Sequence, residues 1–217
     1  SNEVGHVTVG FAPTAAYLVR AEITHPGGLF SSHYPGDVVT SNATAGRTLS
    51  VVVQAKGVQG LFFLGGHDIV VTVSESLAVN LTLTSTTGDV DVVVPAGVVV
   101  ASGGIRATVT TGSVHLTTTD AVFDRNAALA GQSTTGSVAI AITQTVAQAR
   151  TVGVTGTSTT GSVTFTFNRG NGIAAQVTST VTTGSVNPDT SKYTAASGSV
   201  FYAPDPATYT GAAMQFR

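Results

Sequence analysis

Histidines and carboxylates are the first residues to weigh for chemistry. Three histidines of the front third stand beside turns or acids, in His25-Pro26-Gly27-Gly28, His33-Tyr34-Pro35-Gly36-Asp37 and Gly66-His67-Asp68. Imidazole and carboxylate together suit a divalent transition metal. No H-x-x-H or H-E-x-x-H spacing fixes two of them on one face of an element, so they read as loop histidines with polar neighbours. Asp89 and Asp91 lie two apart and share a strand face; with Asp120 and Asp124 they could hold calcium or serve as a glycosidase pair. The nonapeptide calcium pattern is missing, however, and solvated acids are the simpler reading. Glu3, Glu22 and Glu75 all fall in the front third, and Arg106, Arg125, Arg150 and Arg169 are scattered, so no acid–arginine face forms. There is no G-x-S-x-G elbow, and Gly170-Asn171-Gly172 reads as a turn. The chain has no Cys, which removes thiol nucleophiles, zinc-thiolate sites and iron–sulfur clusters. The expectation is a protein that is not an enzyme, with no catalytic residue, no cofactor and no metal site.

Other residues suggest contact rather than catalysis. Asn42-Ala43-Thr44 and Asn80-Leu81-Thr82 are N-x-[ST] sequons, which makes Asn42 and Asn80 the candidate glycosylation positions. Tyr193, Phe201, Tyr202 and Tyr209 gather near the C-terminus, where they suit a hydrophobic end-cap better than a sugar-stacking platform. Tyr209, Met214 and Phe216 belong to an apolar-leaning tail ending in Arg217. Such a tail is sticky unless covered. It either packs on its own chain or adds a strand to a neighbouring subunit, and the second is the expectation here.

The elements that must carry these residues are announced by a repeat. T-T-G-D-V stands at Thr86 to Val90, and T-T-G-S-V at Thr110 to Val114, Thr134 to Val138, Thr159 to Val163 and Thr182 to Val186, with a degenerate A-S-G-S-V at Ala196 to Val200. The glycines are Gly88, Gly112, Gly136, Gly161, Gly184 and Gly198, spaced by 24, 24, 25, 23 and 14 residues. A period near 24 predicts stacked units, each burying its apolar face against its neighbours. Aligned on the glycine, Val90, Val114, Val138, Val163 and Val186 stand at plus two, Val92, Leu116, Ile140 and Phe165 at plus four, and Val94, Thr118, Ile142 and Phe167 at plus six. That period of two is a strand with one buried face. Leu81, Ile105, Leu129, Val154 and Val177 form a further column seven residues before the glycine, and Val98, Val122 and Val146 one ten after it. Each glycine marks a corner needing positive φ. The preceding threonines are expected to form outward ladders whose hydroxyls bond one another or the backbone. A hairpin repeat would need a type I′ dipeptide in each unit. Asn171-Gly172 alone qualifies, which favours the solenoid.

Composition narrows the function. Charged residues make up 9% of 217 positions and the net charge is -2, against about 25% charged in an ordinary soluble domain. There is no basic patch for nucleic acid. Mean hydropathy is +0.32, yet the longest apolar run, Val90 to Ala101, is broken by Asp91, Pro95 and Gly97, so no membrane span is expected. No signal peptide is visible at Ser1, and Ser1-Asn2 is equally compatible with a tag scar. Low Lys with abundant Thr, Val, Ala and Gly points to an exported surface protein.

The segment Asn80 to Pro95, N-L-T-L-T-S-T-T-G-D-V-D-V-V-V-P, with its T-T-G-S-V echoes, resembles the adhesin-like family of prokaryotic surface proteins of unassigned function. The resemblance covers roughly residues 65 to 203. It implies a right-handed β-helix of G-[DS]-[VI] rungs after an N-terminal strand region, and brings no catalytic motif. The chain departs from it in carrying fewer charges on the rung faces.

The reading is therefore an all-β protein. A strand-rich antiparallel cap or small sandwich fills residues 1–77, which lack the repeat. A right-handed β-solenoid of about five rungs of about 24 residues follows over 78–203, and a C-terminal cap or docking tail over 204–217. The expected role is structural or adhesin-like, outside the cell or on its surface, as a homo-oligomer or polymer such as a filament or surface layer. A glycan-binding module is the alternative.

Overall fold

The computed structural model describes residues 2–13, 18–24, 38–43, 49–54, 68–178, 180–186, 194–197 and 200–217. The strands of the front third are β1 Asn2–Val4, β2 Val7–Ala12, β3 Val19–Thr24, β4 Val38–Ala43, β5 Leu49–Gln54 and β6 Asp68–Ser74. The repeat region holds β7 Ala78–Thr87, β8 Val90–Val94, β9 Val99–Thr111, β10 Val114–Thr119, β11 Val122–Phe123, β12 Ala128–Thr135, β13 Val138–Gln144, β14 Thr151–Arg169, β15 Ile173–Thr178 and β16 Thr180–Val186. The end of the chain adds β17 Thr194–Ser197, β18 Val200–Ala203, helix α1 Pro206–Gly211 and β19 Met214–Phe216. No helix among the described residues is long and apolar enough to cross a membrane.

The strands stack in parallel into a β-solenoid of about four turns. One ladder runs β7–β9–β12–β14–β16, with Leu81 opposite Ile105, Ile105 opposite Leu129 and Leu129 opposite Val154. The second runs β2–β8–β10–β13–β14, with Val90, Val114, Val138 and Val163 in one column. The columns two and four after the glycine and seven before it face inward. Val90, Val114 and Val138 are fully buried, as are Ile105 and Leu129. Removing such side chains from water contributes about 1.5–3 kcal/mol each.

The two ladders meet at the glycine corner. Gly88, Gly112, Gly136, Gly161 and Gly184 hold φ between 120° and 146°, a region closed to residues with a Cβ. Crowding closes it a second time. A Cβ on Gly136 would stand 2.0 Å from the carbonyl oxygen of Gly112, and one on Gly161 1.9 Å from that of Gly136. The corner amides of Gly88, Gly112 and Gly136 each donate at 2.9 Å to Thr111, Thr135 and Thr160 on the next rung. Inside the corner, Ser133 Oγ donates to the Gly112 carbonyl and Ser158 Oγ to the Gly136 carbonyl, both at 2.8 Å. A buried hydroxyl thus satisfies a carbonyl that the turn takes out of the ladder.

The stack begins earlier than the repeat suggests. Gly5, at φ 121°, is a corner in the same column. Its carbonyl oxygen lies 2.0 Å from where a Gly88 Cβ would be, and its amide donates to Thr87 at 2.7 Å. Asn2 pairs with Ser85, Val4 with Thr87, Val7 with Val90 and Val9 with Val92, all parallel. Residues 2–12 are therefore a rung, which corrects the expectation that nothing before residue 78 carries the repeat. The antiparallel pairing expected of the front third is found in β3–β6 and in the hairpin β4–β5.

Three further details differ from the sequence reading. The column ten after the glycine breaks: Val98 is buried, whereas Val122 is 40% and Val146 64% exposed. Asp120, at φ 42°, turns its corner with one residue fewer, so Phe123 pairs with Val100 and takes the inward place. The A-S-G-S-V segment is not a rung, because Thr194 pairs antiparallel with Tyr202 and Val200 with Thr178. Its described residues are the end of β17 and the start of β18, which pair antiparallel. Finally, β19 is parallel to both neighbours it touches, β14 and β15, with Thr151 opposite Gln215 and Gln215 opposite Ala174. The tail is wedged between two successive rungs of its own chain.

Gly136→Ala should destabilise strongly. The left-handed backbone alone costs about 1–3 kcal/mol, and the Cβ meets backbone that cannot yield. Val138→Asp, a charge among apolar side chains, should cost several kcal/mol. Thr134→Ala, on the outer surface, should cost under about 1 kcal/mol. Denaturant midpoints of the three variants check the ranking.

Candidate functional site

The acids singled out above are dispersed by the stack. Asp89 sits at the first full corner, where its Oδ1 accepts the Ser113 N–H at 2.7 Å and its Oδ2 stands 3.7 Å from His6 Nδ1. Asp91 lies in the next outward column and contacts His115 Nδ1 at 2.8 Å. Asp120 is at a different corner, and Asp124 faces Arg150 at 4.0 Å. The four do not converge. Among the described residues, no group of three or more His, Asp or Glu side chains is placed to share a metal ion. His25, His33 and His67 lie outside the described residues.

Asp120 has a structural task. Its carboxylate takes the Thr145 N–H at 2.5 Å and the Thr145 hydroxyl at 3.0 and 2.9 Å, tying two rungs together. These bonds, the backbone one foremost, hold its carboxyl below the usual carboxylate range. The neighbouring corner uses an amide instead: Gln148 Oε1 accepts from Phe123 N–H at 2.9 Å and its Nε2 donates to Ala121 at 2.7 Å. One side chain continues the ladder where the chain itself leaves it.

The three residues expected to mediate self-association lie against their own chain. Met214 and Phe216 are buried, and Phe216 meets Phe123 and Phe167 edge-on with ring centroids 5.7 and 5.2 Å apart. Tyr209, on α1, packs edge-on against Tyr202 at 5.4 Å, and burial pushes its phenol up. The helix is capped by Asp205, which accepts the Thr208 N–H at 2.9 Å. Within one chain, then, the tail fills a slot of its own stack. The sequence carried no sign of this, since three residues have no periodicity to read.

Asn80 is exposed on β7 where the register shifts, with its carboxamide over Gly103 and with Thr82 exposed beside it. Asn42 lies on β4 opposite Ser50, and its side chain is outside the described residues.

The outward face of the first ladder is the most regular surface of the molecule. Thr84, Thr108, Gln132 and Thr157 form one column in register. Thr86, Thr110, Thr134, Thr159 and Thr182, two residues on, form a second, and all five are exposed. The sequence reading gave the threonine hydroxyls to one another or to the backbone. Among the described residues, none of Thr84, Thr86, Thr108, Thr110, Thr134, Thr157 or Thr159 makes a side-chain hydrogen bond. The internal bonding belongs to the serines between the two columns, which point inward.

Because the Asp120 pKa is lowered by folding, its contribution is present above the unfolded value near 3.9 and is lost as pH falls through the folded value. Wild-type melting temperature should therefore drop below about pH 4. Asp120→Asn, which tolerates the left-handed backbone, should lower stability at neutral pH and flatten that acid limb. Melting curves of both proteins from pH 7 to pH 2 check it. No family model, no curated protein and no solved structure matches the chain, so its function is read from its own side chains.

Proposed function

We propose that this is a non-enzymatic, adhesin-like structural protein that works outside the cell or on its surface. It assembles into a filament or layer by lending its last strand to the next copy. The observation that carries this reading is the place of β19. Both of its edges are hydrogen-bonded to strands of the stack. Gln215 N–H donates to Arg150 at 2.9 Å, Arg217 N–H to Val152 at 2.7 Å and Met214 N–H to Gly172 at 3.1 Å, and Val154 N–H donates back to Arg217. The slot between β14 and β15 thus accepts a parallel strand with an inward aromatic, whichever copy supplies it. A C-terminal strand that swaps between identical subunits keeps every contact while converting a monomer contact into a polymer contact. Sparse charge on the rung faces leaves little long-range repulsion between copies. Asp89 and Asp120 are occupied in holding corners and Asp205 in capping the helix, which agrees with a scaffold role.

Locking the strand tests this. Thr151 and Gln215 are parallel partners, about 4.8 Å apart at Cα, within reach of a disulfide, and the chain contains no Cys. The double variant Thr151→Cys, Gln215→Cys should remain monomeric when oxidised and polymerise when reduced, by light scattering and electron microscopy. Wild-type protein that stays strictly monomeric at high concentration, or a locked protein that polymerises as readily as the reduced one, contradicts the reading.

A further inference from the structure

The threonine face of the first ladder has features that neither packing nor strand exchange uses. Each rung contributes two outward residues flanking one inward residue: Thr84-Ser85-Thr86, Thr108-Val109-Thr110, Gln132-Ser133-Thr134 and Thr157-Ser158-Thr159, with Thr182 continuing the second column. The inward members Ser85, Val109, Ser133 and Ser158 are buried, so the platform beneath is packed. The strands are in register with no shift from Thr84 to Thr157. The hydroxyls are therefore set on a nearly rectangular grid. Its repeats are about 4.8 Å from rung to rung and about 6.6 Å along each strand. The rung spacing is close to one lattice repeat of hexagonal ice, and the spacing along the strand is somewhat short of another.

We propose that this face binds ice, its ligand a crystal plane of water. The chemistry of the face selects that occupant. Neither of its two columns carries a charge, which suits a neutral lattice, and Arg106 stands alone in the outward column beside them. Neither carries an aromatic ring, the usual platform for a sugar face. Each threonine offers a hydroxyl that donates and accepts, unclaimed among the described residues, beside a methyl that holds the first water layer in place. The β-branched side chain is restricted at χ1, so few rotamers are lost on binding. A ligand that is itself periodic in two dimensions engages all of these groups at once. The inference does not depend on assembly, because one subunit presents the complete grid.

The test uses purified full-length protein in a nanolitre osmometer. Wild-type protein should shape ice into faceted crystals and open a gap between melting and freezing temperatures that grows with concentration. Thr134→Lys and Thr110→Lys, each in the middle of the grid, should reduce that gap to the level of buffer. Thr166→Lys, exposed on the second ladder, should leave it unchanged. Thermal unfolding of all three variants, compared with wild type, separates loss of the grid from loss of the fold. Round, unshaped crystals with wild-type protein would overturn the proposal. So would a full gap in both grid variants, or retention on crystalline chitin or cellulose without any shaping of ice. The oxidised, locked double variant should behave as wild type, and its failure to polymerise has no bearing on this result.

Discussion

Each corner glycine carries a carbonyl oxygen at the point where the Cβ of the next corner would stand. The approach is 2.0 Å at Gly88, 2.2 Å at Gly112, 2.0 Å at Gly136 and 1.9 Å at Gly161. Rungs can be spaced as a β-sheet requires only if every corner lacks a Cβ and adopts positive φ. Once that column is in place, the flanking residues fall into register on both sides. The strand before the corner points its third residue back into the turn, and the strand after it points its second, fourth and sixth residues into the core. The corner also explains why the repeat tolerates unequal lengths. Between Gly88 and Gly184 the spacing varies from 23 to 25. The differences are absorbed on the far side of each rung, where Pro95 to Val98, Asp120 to Ala121 and Thr145 to Arg150 take different paths.

The far side is held by improvised means. Asp120 and Gln148 replace missing strand bonds with side-chain bonds, and β19 fills a gap between rungs. These devices differ from rung to rung, as expected where the backbone itself has no repeated solution. They also leave small debts in the core. Thr118 Oγ1 and Gln144 Oε1 are buried with no partner among the described residues, each at the end of an inward column close to a far-side corner.

What could be read from the sequence follows from this division. The glycine column and the valines beside it recur with fixed offsets, so the inward faces of β8, β10 and β13 were legible. Gly5 was not, because its flanks are Val4 and His6 rather than threonine and serine, and it stands 83 positions before its partner Gly88. Gly198 misled in the opposite direction: its flanks copy the motif, but a spacing of 14 cannot close a rung. The threonine grid was visible as spacing, yet hydroxyl pairing was the wrong bonding to assign to it. Among the described residues the outer threonines make no hydroxyl pairs, although Ser137 and Ser162 on adjacent rungs pair at 3.0 Å. The serines between the threonine columns are near a carbonyl that needs a donor, and they take that bond instead. The residue three before each corner glycine thus forms the inner row, Ser85, Ser133 and Ser158 among them, and the residues on either side of it face outward.

Amide hydrogen exchange tests the account of the corner column most directly. If the corners hold the rungs together, the N–H groups of Gly5, Gly88, Gly112 and Gly136 should exchange only by global unfolding, as slowly as those of Val90 and Val114 in the core strands. The protection of Gly5 is the sharpest part of this, since it requires the N-terminal rung to be part of the same cooperative unit. Exchange of the corner amides at the rate of the surface turn at Asn171, while the core strands remain protected, would contradict the account.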